Sequence, residues 1–166
     1  YGMGLSVEWK GFDFSVLFQG AGSCDFFVGG WGVYPFQEGE AGNIMKVASN
    51  PADRWISREI SGTPDTENPN AIFPRLTYGN SQNNNRASTH WLRNGRYLRL
   101  KNLTIGYTIP KKISRKLLME GARIYFLGNN LAVWDSFGWW DPELASDNGA
   151  RYPIQKNFTL GLTLNF

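Results

Sequence analysis

The chain has little of the chemistry that disulfides, metal ions and most enzymes require. Its 166 residues include one cysteine, Cys24, and one histidine, His90. A single cysteine cannot form an internal disulfide, and neither residue has a partner at a metal-ligand spacing. The sequence therefore predicts no metal and no other cofactor.

Charge is scarce as well, and long apolar runs are missing. Charged residues make up 19% of the chain, and the formal net charge of +3 is too small to indicate a nucleic-acid partner. No run approaches the roughly 18 apolar residues of a membrane-spanning helix. No secretion signal is visible at the start, where YGMGLSVEW (1–9) already alternates apolar and polar residues. The chain is therefore expected to be part of a longer protein.

Aromatic residues, at 15%, and glycine, with 19 copies, are abundant instead. This composition favours strands and turns over helices. The last nine residues, FTLGLTLNF (158–166), alternate apolar residues with small or polar ones without an exception. Strict alternation predicts a strand with one apolar face and one polar face.

Five such strands are predicted, and the features between them are local. The link Lys10-Gly11 between the first two strands predicts a β-hairpin. The apolar phase changes near Lys101-Asn102 in the third strand, which predicts a β-bulge there. Pro110 and Gly121 bracket a short helical turn. The predicted strands cover about 1–9, 12–20, 95–109, 122–132 and 153–166.

Short and long connections alternate along the chain, and the long ones are 21–94 and 133–151. This alternation is typical of a transmembrane β-barrel, whose periplasmic turns are short and whose extracellular loops are long. The apolar face would then meet lipid, and the polar face would line the lumen. Membrane barrels start at about eight strands, so five strands predict part of a barrel. A soluble β-sandwich alternates in the same way, and a carbohydrate-binding module of that fold stays open as the alternative.

Several separated stretches resemble one family in order and spacing. The similarity is to the carboxy-terminal end of SusC/RagA-type TonB-dependent outer-membrane transporters, and it extends over essentially the whole chain. The stretches are SVLFQGAG (15–22), Arg54-Trp55, NPNAIFPRL (68–76), YLRLKNLTIGYTIPKK (97–112), RIYFLGNNLAVW (123–134), WWDPEL (139–144) and YPIQKNFTLGLTLNF (152–166).

The resemblance implies an all-β chain that supplies the last five antiparallel strands of a plugged barrel of about 22 strands. Residues 1–166 would form the carboxy-terminal part of that barrel, and the plug would lie elsewhere in the protein. Arg54, Trp55 and Arg75 resemble recurring structural residues of the family. Phe166 resembles the terminal aromatic residue by which outer-membrane proteins are recognised for insertion.

The resemblance also implies a function and a set of partners. It predicts an importer, not an enzyme, that carries oligosaccharides or peptides across the bacterial outer membrane. A SusD-like surface lipoprotein would cover the extracellular mouth, and TonB would act through the plug. Outer-membrane lipid and lipopolysaccharide would surround the barrel.

Candidate binding residues lie in the two long loops. Exposed aromatic side chains often anchor binding interfaces, so these residues are predicted to contact substrate or lid. For Trp139 and Trp140 the alternative is that they anchor their loop at the barrel rim. The aromatic candidates are Trp31, Tyr34, Phe36, Trp139 and Trp140.

Acidic and basic residues of the same region add further hypotheses. Asp141 and Glu143 are binding candidates, and with Asp147 their oxygen atoms offer either a cation site or a solvated turn. Nothing in the sequence fixes the carboxylate separation that glycoside hydrolysis needs. Arg96, Arg99 and Lys101 are expected either to face the lumen or to meet lipopolysaccharide phosphates. A small-barrel lipid-modifying enzyme is a further alternative, but it needs a nucleophile beside a base, which one histidine does not easily provide.

Overall fold

The computed structural model of the protein describes residues 1–37, 42–61 and 67–166. Part of the predicted loop 21–94, at 38–41 and 62–66, lies outside the described residues. The chain divides into two units. The first unit contains Tyr1–Asp25, Asn94–Ala145 and Arg151–Phe166, and the second contains Phe26–Arg93 and Ser146–Ala150.

The first unit is built on one antiparallel sheet of five strands. Each strand pairs with the next long strand along the chain, so that the order in the sheet is β1-β2-β5-β6-β7. This confirms the all-β prediction of consecutive antiparallel strands. The strands are Gly2–Trp9 (β1), Phe12–Ala21 (β2), Tyr97–Thr108 (β5), Gly121–Asp135 (β6) and Asn157–Asn165 (β7).

The remaining elements are short. Two strands of three residues, Asp25–Phe27 (β3) and Leu92–Asn94 (β4), pair with each other inside the region predicted as loop. The helices are Lys46–Ser49 (α1), Arg58–Ser61 (α2) and Lys111–Ser114 (α3), with 3₁₀ turns at Pro51–Asp53, Arg115–Leu117 and Pro142–Leu144. Within the described ranges, no helix has the length and apolar character that a membrane crossing needs.

The predicted hairpin joins β1 and β2. Trp9 pairs with Phe12, and the two residues between them have positive φ angles of 48° at Lys10 and 88° at Gly11. Two left-handed residues form the type I′ turn, whose twist matches that of the flanking strands. The hairpin prediction is therefore confirmed, with glycine at the position of larger φ.

The predicted bulge lies at Lys101. The neighbours of this residue in β5 pair with consecutive residues of β2, Leu100 with Phe18 and Asn102 with Leu17, so Lys101 is the extra residue. The partner strand β6 also shifts there, since Leu100 pairs with Ala132 and Asn102 with Asn129. The bulge prediction is confirmed.

Two strand ends differ from the sequence prediction. β6 continues to Asp135, past the predicted end at 132, because its last residues pair with the upstream half of β5, for example Trp134 with Leu98. β7 begins at Asn157 rather than at 153. The ladder between β6 and β7 ends at the pair Asn129–Asn157, and Pro153, farther upstream, cannot donate a ladder hydrogen bond.

The register places apolar side chains of all five strands on one face. The opposite face carries mostly small or polar residues, such as the paired Ser6 and Ser15, and its apolar exceptions are Leu17, Leu127 and Val133. Many apolar side chains are exposed, with Leu160 of β7 at 75%. A contiguous exposed apolar face is unusual for a soluble monomer and indicates contact with lipid or another apolar surface. The exposed members include Met3, Leu5, Val7, Trp9, Phe12, Phe14, Ile105, Ile124, Trp134, Phe158, Leu160, Leu162 and Leu164.

The second unit has a small buried core of its own. Trp91 is 1% exposed, and Val28, Val33, Ala48 and Phe73 are buried as well. The indole nitrogen of Trp91 donates a hydrogen bond to the Asn84 carbonyl at 2.7 Å. A buried indole with its N–H satisfied is a stable anchor, and it fixes the asparagine-rich stretch next to it.

Candidate functional site

A buried charge network ties the second long loop to β5. Arg99 is 2% exposed, and its guanidinium pairs with the carboxylates of Asp141 and Glu143. The contact from Arg99 Nε to Glu143 Oε2 is 2.6 Å, at an angle outside hydrogen-bond geometry. Lys101 Nζ lies 2.9 Å from the other oxygen of Glu143. We call these four residues the loop latch.

The sequence forms the acidic half of the loop latch through a local turn. Asp141 Oδ1 accepts a hydrogen bond of 3.0 Å from the Glu143 backbone nitrogen, and Pro142 occupies the first position of the 3₁₀ turn. Pro at this position is pre-organised for helical geometry. The turn ends at Ala145, which has a left-handed φ of 47°. Asp141 and Glu143 therefore project from one rigid turn toward the basic residues of β5.

The loop latch gives the acidic candidates a role that the sequence did not predict. Arg99 and Lys101 are paired with loop carboxylates, and the expectation that they face the lumen or meet lipopolysaccharide phosphates stays a prediction. Across the described part of the chain, no group of three or more His, Cys, Asp or Glu residues could hold a metal ion. In the pairs Arg99–Asp141 and Lys101–Glu143, the basic and acidic residues are 42 positions apart in the sequence. The pairing could have been predicted only by combining two distant stretches, WWDPEL with its carboxylates and YLRLK with its basic residues.

Three aromatic rings pack together just before this turn. Phe137 is buried, and its ring centroid lies 5.5 Å from that of Trp139 and 4.8 Å from that of Trp140. The two indoles contact each other edge to face at 5.9 Å. Each indole is half-buried, so part of its ring remains accessible. The packed part of the two indoles is compatible with an anchor at the barrel rim, and the accessible part is compatible with a binding role. Both hypotheses for Trp139 and Trp140 therefore stay predictions.

Trp31 stands at the tip of a tight turn in the second unit. It lies between Gly30 and Gly32, whose φ angles are 74° and 83°. The Gly30 carbonyl accepts hydrogen bonds from Val33 and Tyr34, both at 3.1 Å. Val33 is buried, whereas Trp31 is 58% exposed. The turn therefore displays one large aromatic side chain on a fixed backbone.

The other two aromatic candidates of this loop are packed inward. Tyr34 contacts the edge of Trp91 at a centroid distance of 5.0 Å, and burial raises the pKa of its hydroxyl. Phe36 stacks on Tyr78 at 5.2 Å with an interplanar angle of 20°. Both rings are half-buried, so Trp31 offers the larger accessible aromatic area of the three.

The family-motif residues of the second unit hold two segments side by side. Arg54 and Phe73 form a parallel bridge, and the Trp55 nitrogen donates a 2.9 Å hydrogen bond to the Phe73 carbonyl. The Arg54 Nε is buried without a hydrogen-bond partner among the described residues. Arg75 is exposed, and the described residues give it neither an ion pair nor a hydrogen bond.

His90 packs against two aromatic residues of the same region. Its ring contacts Phe73 and Trp91 edge to face, at centroid distances of 6.1 and 4.5 Å. Burial lowers the pKa of His90, and the positive charge of Arg93 lowers it further. The imidazole is therefore neutral at neutral pH, and its Nε2 is buried without a hydrogen-bond partner among the described residues.

Long side chains cross the polar face of the sheet where glycines make room, which the sequence analysis missed. Arg123 of β6 reaches over Gly106 of β5 to Asp13 of β2, with an Nη2–Oδ2 distance of 2.6 Å. A Cβ atom at Gly106 would overlap the Asp13 carboxylate, and one at Gly161 would overlap the Tyr125 ring. The glycines inside the alternating strands were the sequence feature from which these close approaches could have been predicted.

Phe166 follows the last paired residue and is 84% exposed. Its position continues the alternation of Phe158, Leu160, Leu162 and Leu164, which belong to the apolar face. The role of a terminal recognition residue stays a prediction.

Comparison with known proteins gives relatives across the whole chain. No family model matches it. The TonB-dependent receptor P26 of Formosa agariphila is 29% identical over 181 aligned positions, which cover 100% of this chain and 17% of the receptor. The receptor P3 of the same organism is 25% identical over 178 positions, which cover 99% of the chain and 16% of the receptor. The chain thus spans about a sixth of the length of the curated relatives it matches.

Solved structures of a transporter also match the chain over nearly its whole length. The RagAB peptide transporter matches 99% of this chain with a TM-score of 0.69 and 25% identity, over 17% of its own chain. The RagAB peptide importer in its closed-closed state matches the same share with a TM-score of 0.62 and 26% identity. The resemblance seen in the sequence is thus confirmed: in sequence and in fold, the chain matches a segment of a SusC/RagA-like TonB-dependent outer-membrane transporter.

Proposed function

We propose that residues 1–166 form the carboxy-terminal part of a TonB-dependent importer that carries oligosaccharides or peptides across the bacterial outer membrane. The observation that carries this proposal is the exposed apolar face shared by all five strands, together with a polar opposite face. Such a sheet is stable where lipid covers one side and the lumen the other. The long connections 21–94 and 133–151 would then lie on the extracellular side, and the turns at 10–11 and 110–121 on the periplasmic side.

The mechanism needs no bond chemistry in this segment. Substrate is captured between the extracellular loops and a SusD-like lipoprotein lid, the lid closes, and TonB opens a path by acting on the plug. The loop latch holds the loop 133–151 against the barrel wall during these steps. Arg99 and Lys101 act in it as positioning residues, through their ion pairs with Asp141 and Glu143.

Trp31 is the best candidate for contact with the lid or the substrate. A turn with two left-handed glycines presents its indole at little conformational cost, and tryptophan is enriched in binding hot spots. Trp139 and Trp140 are the second candidate, with the smaller accessible area that their mutual packing leaves.

The test is purification of the full protein from membranes in detergent, followed by intact mass spectrometry and a native gel. We expect the chain within a much larger barrel that co-purifies with a lipoprotein, and we expect Trp31→Ala to weaken that association. Substrate uptake by cells should stop when TonB is removed. A protein that stays soluble and monomeric without detergent would overturn the proposal in favour of the β-sandwich module.

A further inference from the structure

Two cavities adjoin at Asn83 in the second unit, and neither belongs to the loop latch. One has a volume of about 580 Å³ and is lined by amide side chains, including Asn80 and Gln82. The other has a volume of about 310 Å³ and combines apolar and aromatic side chains, such as Trp55 and Phe73, with the polar Asn84 and Ser88. We call the pair the amide–aromatic groove; its principal residues are Trp55, Phe73, Asn80, Gln82, Asn83 and His90.

We propose that the amide–aromatic groove binds a stretch of an oligosaccharide. The inference rests on the proposed import function and assigns the substrate class to this groove. It goes beyond the aromatic candidates of the loops, because none of them lines either cavity.

The groove is fixed before any ligand arrives. The Arg54–Phe73 bridge and the hydrogen bond from Trp55 to the Phe73 carbonyl set the aromatic wall. The buried Trp91 holds the amide wall through its bond to the Asn84 carbonyl. Asn85 strengthens that wall with a 2.9 Å hydrogen bond from its side chain to Asn80 Oδ1. A preformed site loses less conformational entropy when a ligand binds.

The lining chemistry matches a hydroxyl-rich ligand. Each primary amide offers two donors and an acceptor, which suits sugar hydroxyls because these also donate and accept. Trp55 is 39% exposed and presents an indole beside the amides, where the C–H face of a sugar ring can pack. The combination of an apolar platform and several polar groups is the usual composition of a small-molecule site.

The charges of the groove favour an oligosaccharide over a peptide. Among its described lining residues, Arg86 is the one charged group, and no carboxylate is present. His90 is neutral at the inner end, since its pKa is lowered by burial. A carboxylate would be the matching partner for the amino terminus or the basic side chains of a peptide, whereas a neutral oligosaccharide has no cationic group that needs one. The uncharged rings of an oligosaccharide therefore match the polar and aromatic groups of the groove better than a charged peptide does.

The test uses the full-length transporter in detergent and calorimetric titration. The probes are the neutral oligosaccharides maltohexaose, xylohexaose, laminarihexaose and mannohexaose, with a pool of mixed decapeptides as the competing class. We expect at least one oligosaccharide to bind, with affinity weakened about tenfold by Trp55→Ala and about threefold or more by Asn83→Ala. Tyr152→Ala, which removes an exposed aromatic ring outside the groove, should change the affinity by less than about twofold, a shift too small for a lost hot spot.

The remaining outcomes overturn the proposal in separable ways. Asn83 is exposed, so its replacement leaves folding intact even if Trp55→Ala disturbs the loop. If an oligosaccharide binds equally well to both groove variants, the groove is not its site. If no oligosaccharide of the panel binds, the assigned substrate class is wrong, and binding of the peptides would then leave the import function standing. Import itself fails only if cells take up neither class in a TonB-dependent way.

Discussion

Arg99 shows how one residue can determine the position of a whole loop. Its buried guanidinium faces two carboxylates, Asp141 and Glu143, that reach it from the 3₁₀ turn. Removing one partner of a buried ion pair is costly because the other charges stay buried without compensation. Lys101, at 30% side-chain exposure, contacts Glu143 from the more solvated side.

We therefore expect Arg99→Met to lower the local opening free energy of the loop by about 3–5 kcal/mol. Lys101→Met should lower it by about 1 kcal/mol or less, since water partly screens this half-exposed pair and Glu143 keeps its contact with Arg99. The measurement is hydrogen exchange of residues 135–145 in the full transporter in detergent. Equal exchange in the two variants would mean that Arg99 does not hold the loop.

Two strand glycines provide a matched pair for testing the polar face. Ala at Gly161 would overlap the Tyr125 ring, whereas Ala at Gly121 would meet its nearest neighbour, Asn165 Nδ2, at an ordinary 3.5 Å. Gly161→Ala should lower the free energy of unfolding by about 1–3 kcal/mol, a typical cost of overpacking. Gly121→Ala should be neutral or slightly stabilising, because it restricts the unfolded chain. Urea unfolding of the reconstituted barrel compares them, and an equal effect would show that Tyr125 moves away freely.

At the scale of elements, the separation of apolar and polar side chains along β5 depends on one extra residue, Lys101. Lys101 shifts the phase so that Leu98 and Leu100 share a face with Leu103 and Ile105. Side chains alternate with a period of two, so a one-residue shift moves every upstream side chain to the other face. Without the bulge, Arg99 would point into the apolar face.

Deletion of Lys101 should therefore prevent assembly of the barrel, while Lys101→Ala should assemble normally because it keeps the residue count. The readout is the folded, heat-modifiable band of the full transporter in outer-membrane fractions. The bulge has no role in setting the two faces if the deletion variant reaches the same level as Lys101→Ala.

The bulge, the hairpin and the five long strands were predictable because their signals are local. Alternation, a Lys-Gly turn and a phase change can all be read within a few residues. The strands β3 and β4 have three residues each, too few for a period to appear. The end of β6 at Asp135 depends on its partner Tyr97, and the loop latch joins residues 42 positions apart. Such contacts come from tertiary structure, which a single sequence specifies but does not display.

At the scale of the whole molecule, the exposed apolar face decides between a barrel wall and a soluble domain. Leu162 and Thr163 are neighbours near the middle of β7, and both side chains are exposed in this chain. Their side chains point to opposite faces because they are consecutive strand residues. In water, arginine at either position would cost little, since both positions are open to solvent.

In a membrane the two positions differ. Leu162→Arg would place a charge in lipid, at a cost of about 2–4 kcal/mol near the bilayer midplane, whereas Thr163→Arg would face the lumen and cost little. We therefore expect the Leu162 variant alone to reduce the free energy of unfolding of the full transporter in lipid vesicles, measured with urea. Equal stability of the two variants would mean that lipid does not cover the apolar face, and the barrel-wall assignment would be wrong.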